Sequence, residues 1–124
     1  MPLKIFGAVR SLKNAFNGII YTFRYELSFR IQSLAAIIAL FLAFILPLKL
    51  YERTVICLLV CMVLVLELIN SAIERVVDLF KPAIDHSAKF IKNIMAGAVF
   101  LAAIFSLIIG IIIFSPHFIS VFTP

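Results

Sequence analysis

The hydrophobic and polar positions fall into four blocks. Over residues 3–24, Ile5, Phe6, Val9, Leu12, Phe16, Ile19, Ile20 and Phe23 recur at helical spacing, while Arg10, Ser11, Asn14 and Asn17 fall largely on the other side. That period predicts an amphipathic helix lying in a membrane interface. Charge interrupts its first apolar residues and no compact apolar core precedes a small-residue cleavage site, which argues against a signal peptide. Residues 29–47 are almost wholly apolar apart from Arg30, Gln32 and Ser33 at the start, and they stop at Pro47. They predict a first transmembrane helix, joined to the interfacial one by a bend near residues 26–28. After a short turn over residues 48–53, a second span is expected over residues 54–80 and a third over residues 91–114, which Pro116 ends. Residues 81–90, with Pro82, Asp85, His86 and Ser87, read as the one clear polar loop.

Composition turns this pattern into a fold class. With 65% hydrophobic residues and a mean hydropathy of +1.21, a 124-residue chain has more apolar surface than its own core can hide, so the bilayer must be its solvent. The expectation is a single-domain, all-α membrane protein: an N-terminal interfacial helix plus three transmembrane helices. The net charge of +5 comes from basic residues that flank the apolar runs, so no nucleic-acid partner is needed to explain it. Residues 1–30 hold Lys4, Arg10, Lys13, Arg24 and Arg30, and residues 75–92 hold Arg75, Lys81, Lys89 and Lys92; the turn at 48–53 holds only Lys49 and Arg53, and no Lys or Arg follows Phe114. By the positive-inside rule the N-terminus and the 81–90 loop face the cytoplasm. Cys57 and Cys61, four apart on one helical face, are placed wrongly for a disulfide with each other and read as small buried hydrophobes.

Candidate chemistry gathers where the second span ends. In the run ELINSAIERVVD, Glu67, Asn70, Glu74 and Asp78 share roughly one quadrant of a helix, bordered by Ser71. The seven residues from Glu67 to Glu74 correspond to about 10 Å of rise, which puts one carboxylate at lipid head-group depth and the other near water. An ionised carboxylate in hydrocarbon costs at least about 3 kcal/mol, so Glu67 is a functional candidate unless a basic residue or an amide on a neighbouring helix pairs with it. Glu26, at the start of the first span, and Lys92, at the start of the third, fall at the level of Glu74. Two carboxylates and a lysine at one interface suit Mg²⁺ and a phosphate. The chain has no GxxxxGK[ST] loop, Gly-rich kinase loop or HExxH, and four glycines in all. His86 can reach a phosphate or simply be a solvated histidine. On the third span Ala98, Ala102, Ser106 and Gly110 form a small-residue stripe, which suits close packing within one chain or between copies.

The run Glu67-Leu-Ile-Asn70-Ser71-Ala72-Ile73-Glu74 with Asp78 resembles the signature of the small prokaryotic integral-membrane diacylglycerol kinase family, which includes the undecaprenol kinases. SLKNAFNG, Glu26 with Phe29-Arg30-Ile31, and HSAKFIKNIMAGAVFLAAI extend the resemblance over almost the whole chain. It implies an ATP- and Mg²⁺-dependent lipid kinase of the bacterial inner membrane, a homotrimer whose active sites combine residues of adjacent protomers. Carried over by position, Glu67 is the catalytic base with Asn70 beside it, Glu26 and Glu74 hold Mg²⁺ and ATP, and Lys92 binds phosphate. Asn93 and His86 fall in the ATP region; Arg10, Lys13, Phe16 and Arg30, with Glu67, fall in the lipid region. Asn93 departs from the pattern, where Asp usually follows the lysine; the missing charge is either unimportant or supplied by a neighbour such as Asp85. Phe29-Arg30-Ile31 and the AGAV run resemble the undecaprenol branch, although Gln32 stands where that branch often has His. The competing class is a non-enzymatic oligomeric protein, a pore or assembly subunit, which calls for polar residues through the whole bilayer depth rather than at one end.

Overall fold

The structure, a computed structural model, describes the backbone of residues 2–123 and the side chains of residues 4–83 and 86–123. It is built from three helices: α1 (Pro2–Tyr25), α2 (Leu27–Ile45) and α3 (Leu50–Phe122). A single residue separates the first two. Glu26 is extended (φ −112°, ψ 111°), yet its N–H still donates to the Thr22 carbonyl at 2.8 Å and its carbonyl accepts from Arg30 N–H at 3.2 Å. The chain therefore changes direction at Glu26 without leaving its backbone groups unpaired. Phe23 and Phe29 meet edge to face across the break, ring centres 6.4 Å apart, and Phe29 is buried there.

Pro47 ends α2 as expected: the residue before a proline avoids the helical region, and Leu46 is extended. The next helix begins at Leu50, four residues earlier than the apolar pattern suggested, because the Glu52 carboxylate accepts the Lys49 N–H at 3.0 Å and so caps the first turn.

The larger difference lies in residues 81–90, which are helical rather than an irregular loop, and α3 is helical along its whole length. It is nevertheless not a straight rod. A straight helix would hold Asp78 and Lys92 about 21 Å apart and Glu52 and His117 about 98 Å apart. Their side chains meet at 2.6 Å and 3.3 Å. Both pairs are centred near residue 85, so α3 doubles back there into two antiparallel limbs, Leu50–Ala83 and His86–Phe122. Pro82, which has no N–H to give to a helix, lies just before the reversal. Pro116 does not stop the second limb, which runs on to Phe122.

With α2, the limbs make three antiparallel rods, each long and apolar enough to cross a membrane. At the end remote from Glu26, Ala43, Leu46, Leu48 and Ile56 form a buried cluster against Ile113 and Phe114. Arg53 Nε donates to the Ala43 carbonyl at 2.8 Å, satisfying an acceptor that the end of α2 leaves free, and its guanidinium lies 5.3 Å from the Phe44 ring centre. Phe41, Phe44, Leu58, Phe100 and Leu107 all point outward and are more than half exposed. A cavity of about 710 Å³ opens between α2 and the limbs, bordered by Ala36, Val63, Ser106 and Gly110. Ser106 and Gly110 of the small-residue stripe face this space, whereas Ala98 and Ala102 do not border it, and a Cβ on Gly110 would meet nothing within 4 Å, so no helix of the same chain presses on it. Cys57 and Cys61 are free thiols; Cys61 is exposed rather than buried.

Candidate active site

The break at Glu26 and the end of the first limb of α3 come together at one end of the bundle. Glu26, Glu74, Arg75, Asp78 and Leu79 line a cleft of about 530 Å³ there. Glu74 and Asp78 stand one turn apart on the same face. Glu26 reaches them because the extended residue between α1 and α2 sits over the end of the first limb. Three carboxylates thus converge from two elements, and Arg75 is the one cation in the lining.

Glu67 lies two turns deeper on the same helix and is only 4% exposed. Among the described residues it has neither an ion pair nor a side-chain hydrogen bond, so the pairing that would make it merely structural is absent among them. Glu74 and Glu26 lie close enough to act on it electrostatically. Asn70 sits between the two levels, with Nδ2 donating to Glu74 Oε1 at 3.4 Å; its Oδ1 is buried and has no partner. Ser71, also buried, borders the same face. The result is a line of polar groups from a buried carboxylate to an open acidic cleft. A hydroxyl from the bilayer can meet the inner end, and a polyphosphate from water the outer end.

Lys92 enters from the second limb. Its Nζ donates to Asp78 Oδ1 at 2.6 Å, and both side chains are partly exposed. The fold-back of α3 therefore brings the lysine to Asp78 at the edge of the acidic cleft. Arg75 donates to the Tyr21 hydroxyl at 2.5 Å and stacks its guanidinium 4.5 Å from that ring's centre, so the cleft is tied to α1. The pattern of charges alone did not reveal Arg75, which lies off the acidic face. Asp78 was visible as a member of that face, but its contact with Lys92 was not.

The remaining candidates stand apart from the cleft within one chain. Arg10, Lys13 and Phe16 are exposed on α1; Arg30 is exposed and turns its guanidinium to the Arg24 carbonyl at 3.4 Å. His86 and Asn93 are exposed on the second limb and do not line the cleft. The Asp85 side chain lies outside the described residues. For a metal ion, no three His, Cys, Asp or Glu side chains among the described residues are close enough to form a complete cage. Glu26 and Glu74 still fit Mg²⁺, which characteristically takes one or two carboxylates and completes its shell with water and phosphate oxygens.

Known sequences resemble the chain over nearly its whole length. Residues 13–114 match the family model described as prokaryotic diacylglycerol kinase. A diacylglycerol kinase of Synechocystis sp. is 37% identical over 111 residues, 89% of this chain and 63% of that protein; this chain thus spans somewhat less than two thirds of that relative. An undecaprenol kinase of Bacillus subtilis is 39% identical over 107 residues, 86% of this chain and 87% of that protein. The match takes in Glu26, Glu67, Asn70, Glu74, Asp78 and Lys92, the groups that the fold gathers at one end, and leaves out the first half of α1 and the tip of the second limb. This chain belongs to the prokaryotic diacylglycerol kinase family.

Proposed function

We propose that this protein is a lipid kinase that moves the γ-phosphate of ATP to the hydroxyl of a membrane lipid, undecaprenol or diacylglycerol. The observation that carries the reading is the graded polar face: a buried, unpaired Glu67 leads through Asn70 to the Glu26–Glu74 cleft, with Lys92 brought to its edge. Phosphoryl transfer asks chiefly for positioning and charge neutralisation, so a minimal membrane scaffold suffices when nucleotide and lipid reach one point from different phases.

In this reading Glu67 accepts the proton of the lipid hydroxyl as the hydroxyl oxygen attacks the γ-phosphorus, and the bond from that phosphorus to the β–γ bridging oxygen breaks to release ADP. Asn70 keeps Glu74 oriented through its amide hydrogen bond. Glu26 and Glu74 would hold Mg²⁺, which when bound offsets the negative charge of the triphosphate. Lys92 contributes a mobile positive charge to the phosphate, and Asn93 and His86 lie on the nucleotide side. The exposed apolar stripe of α1, including Phe6, Leu12 and Phe16, supports a helix lying on the bilayer with Arg10 and Lys13 at head-group level. Arg30 belongs to the same lipid-facing region.

The excess of Lys and Arg at the cleft end supports an inner-membrane protein with its N-terminus and the fold-back of α3 in the cytoplasm, where ATP is. The outward apolar surface, and a cleft left open on one side, support assembly into a homotrimer whose neighbours complete the site. A pore or assembly subunit would call for polar groups through the full depth. The cavity in the other half is instead lined mostly by apolar side chains, with Gln32, Ser106 and Ser115 as exceptions. The deciding experiment offers radiolabelled ATP and Mg²⁺ to the protein in mixed micelles containing undecaprenol or diacylglycerol. Label in at least one lipid is expected, and label in neither would refute the proposal.

A further inference from the structure

The contact between Asp78 and Lys92 joins the two limbs of α3 at the mouth of the acidic cleft. Lys92 Nζ and Asp78 Oδ1 are 2.6 Å apart, and Asp78 also lines the cleft beside Glu26 and Glu74. The charged groups acting on this pair are Glu74 on the lysine and Lys81 and Arg75 on the aspartate. Lys92 is thus the only cation of the second limb that is drawn to the cleft among the described residues. Its neighbour in sequence is Asn93, an exposed amide that offers it no countercharge.

A lysine ammonium is a point charge on a four-carbon stem, and without an anchor it samples many positions. Asp78 supplies that anchor from a rigid helix on the facing limb. Its side chain is 58% exposed and that of Lys92 36%, so water screens the pair and it can exchange partners when a phosphate carrying several charges arrives. Apolar burial also contributes at this end of the limbs: Val77 on one and Ala88 on the other are each only 3% exposed. The pair therefore has little to do for stability and is well placed to hold the ammonium ready.

Resting on the lipid-kinase reading above, we propose that Asp78 is a positioning residue. It holds the Lys92 ammonium over the cleft and yields it to the nucleotide phosphates, supplying from the opposite limb the carboxylate that Asn93 does not provide.

The test uses the full chain in detergent micelles as wild type, Asp78→Asn and Asp78→Glu. Calorimetry reads the affinity for a Mg²⁺-bound non-hydrolysable ATP analogue, steady-state assays separate KM for ATP from kcat, and thermal unfolding reads the fold. Asp78→Asn is expected to weaken analogue binding and raise KM by about five- to tenfold, with a smaller change in kcat. Asp78→Glu should recover binding to within about threefold of wild type, since it restores the charge, and the unfolding midpoint should stay put. Analogue binding in Asp78→Asn that equals or exceeds wild type overturns the proposal, as does a weakening that Glu fails to recover. A midpoint that falls in step with affinity overturns it too, because Asp78 would then be holding the fold. If wild-type protein binds the analogue yet labels no lipid, the kinase reading fails by itself and the analogue affinities still decide the role of Asp78.

Discussion

Replacing Glu67 with Gln separates catalysis from structure more sharply than any other single change. The side chain keeps its shape and loses its ionisable group at a position only 4% exposed, where no ion pair among the described residues compensates a charge. Removing an unpaired buried charge leaves no orphaned counterion behind, so the fold should be as stable as before or slightly more so. Catalysis should move the other way. A positioned general base contributes about 10²- to 10⁴-fold, and the amide cannot take a proton, so kcat should fall by at least about 10², or roughly 2.7 kcal/mol of barrier. The affinity for ATP should hardly change, because the nucleotide end lies about 10 Å away along the helix. The assay is transfer of γ-labelled phosphate into both lipids, run alongside thermal unfolding of the same preparation. If Glu67→Gln retains activity within a few fold, the residue is no base. If activity falls only together with the unfolding midpoint, the loss is structural and the reasoning is wrong.

Glu26→Gln and Glu74→Gln should each raise the Mg²⁺ concentration needed for half-maximal rate, and excess Mg²⁺ should restore part of the activity; if neither variant is rescued in a Mg²⁺ titration, these residues are not ligands. Asn93→Asp should change the rate only a few fold, since Asp78 already faces Lys92. A rise beyond about tenfold, roughly 1.4 kcal/mol, would show that the missing charge mattered. Arg53→Met should lower the stability of the bundle by about 2 kcal/mol, the usual cost of losing a charged hydrogen bond to a buried acceptor, with kcat unchanged in the surviving folded protein. Denaturant titration in mixed micelles measures this, and an unaltered midpoint would mean that water satisfies the Ala43 carbonyl.

Much of this arrangement was legible in the sequence because it follows from period and boundary. The apolar runs, the bend at Glu26, the stop before Pro47 and the acidic quadrant at Glu67, Asn70, Glu74 and Asp78 all come from local rules. What stayed hidden depends on the crossing of elements distant in the chain. Pro82, Asp85, His86 and Ser87 look like loop chemistry, yet the chain reverses there while keeping helical structure. Pro116 looks like a terminator, but the second limb passes it and ends at Phe122. Tyr21 and Arg75 carry no motif that pairs them, and neither do Arg53 and the Ala43 carbonyl. These contacts exist only once the three rods are set side by side.

The two polar side-chain contacts between the limbs also have a spacing. Asp78 lies 26 residues from Glu52 along one limb, and Lys92 lies 25 from His117 along the other. At the helical rise this is about 38 Å, longer than the roughly 30 Å hydrocarbon layer and just short of its thickness with head groups included. The pairs act as the two stops of a gauge, each able to stay in the polar boundary while everything between them stays in hydrocarbon. A thinner bilayer would have to tilt the rods or let one stop stand proud in water, and a thicker one would drag a polar pair into the apolar zone. Because one stop is the Asp78–Lys92 contact at the cleft, a change in membrane thickness would act on the place where Lys92 is held. Activity in bilayers of graded acyl-chain length should therefore peak at an intermediate thickness.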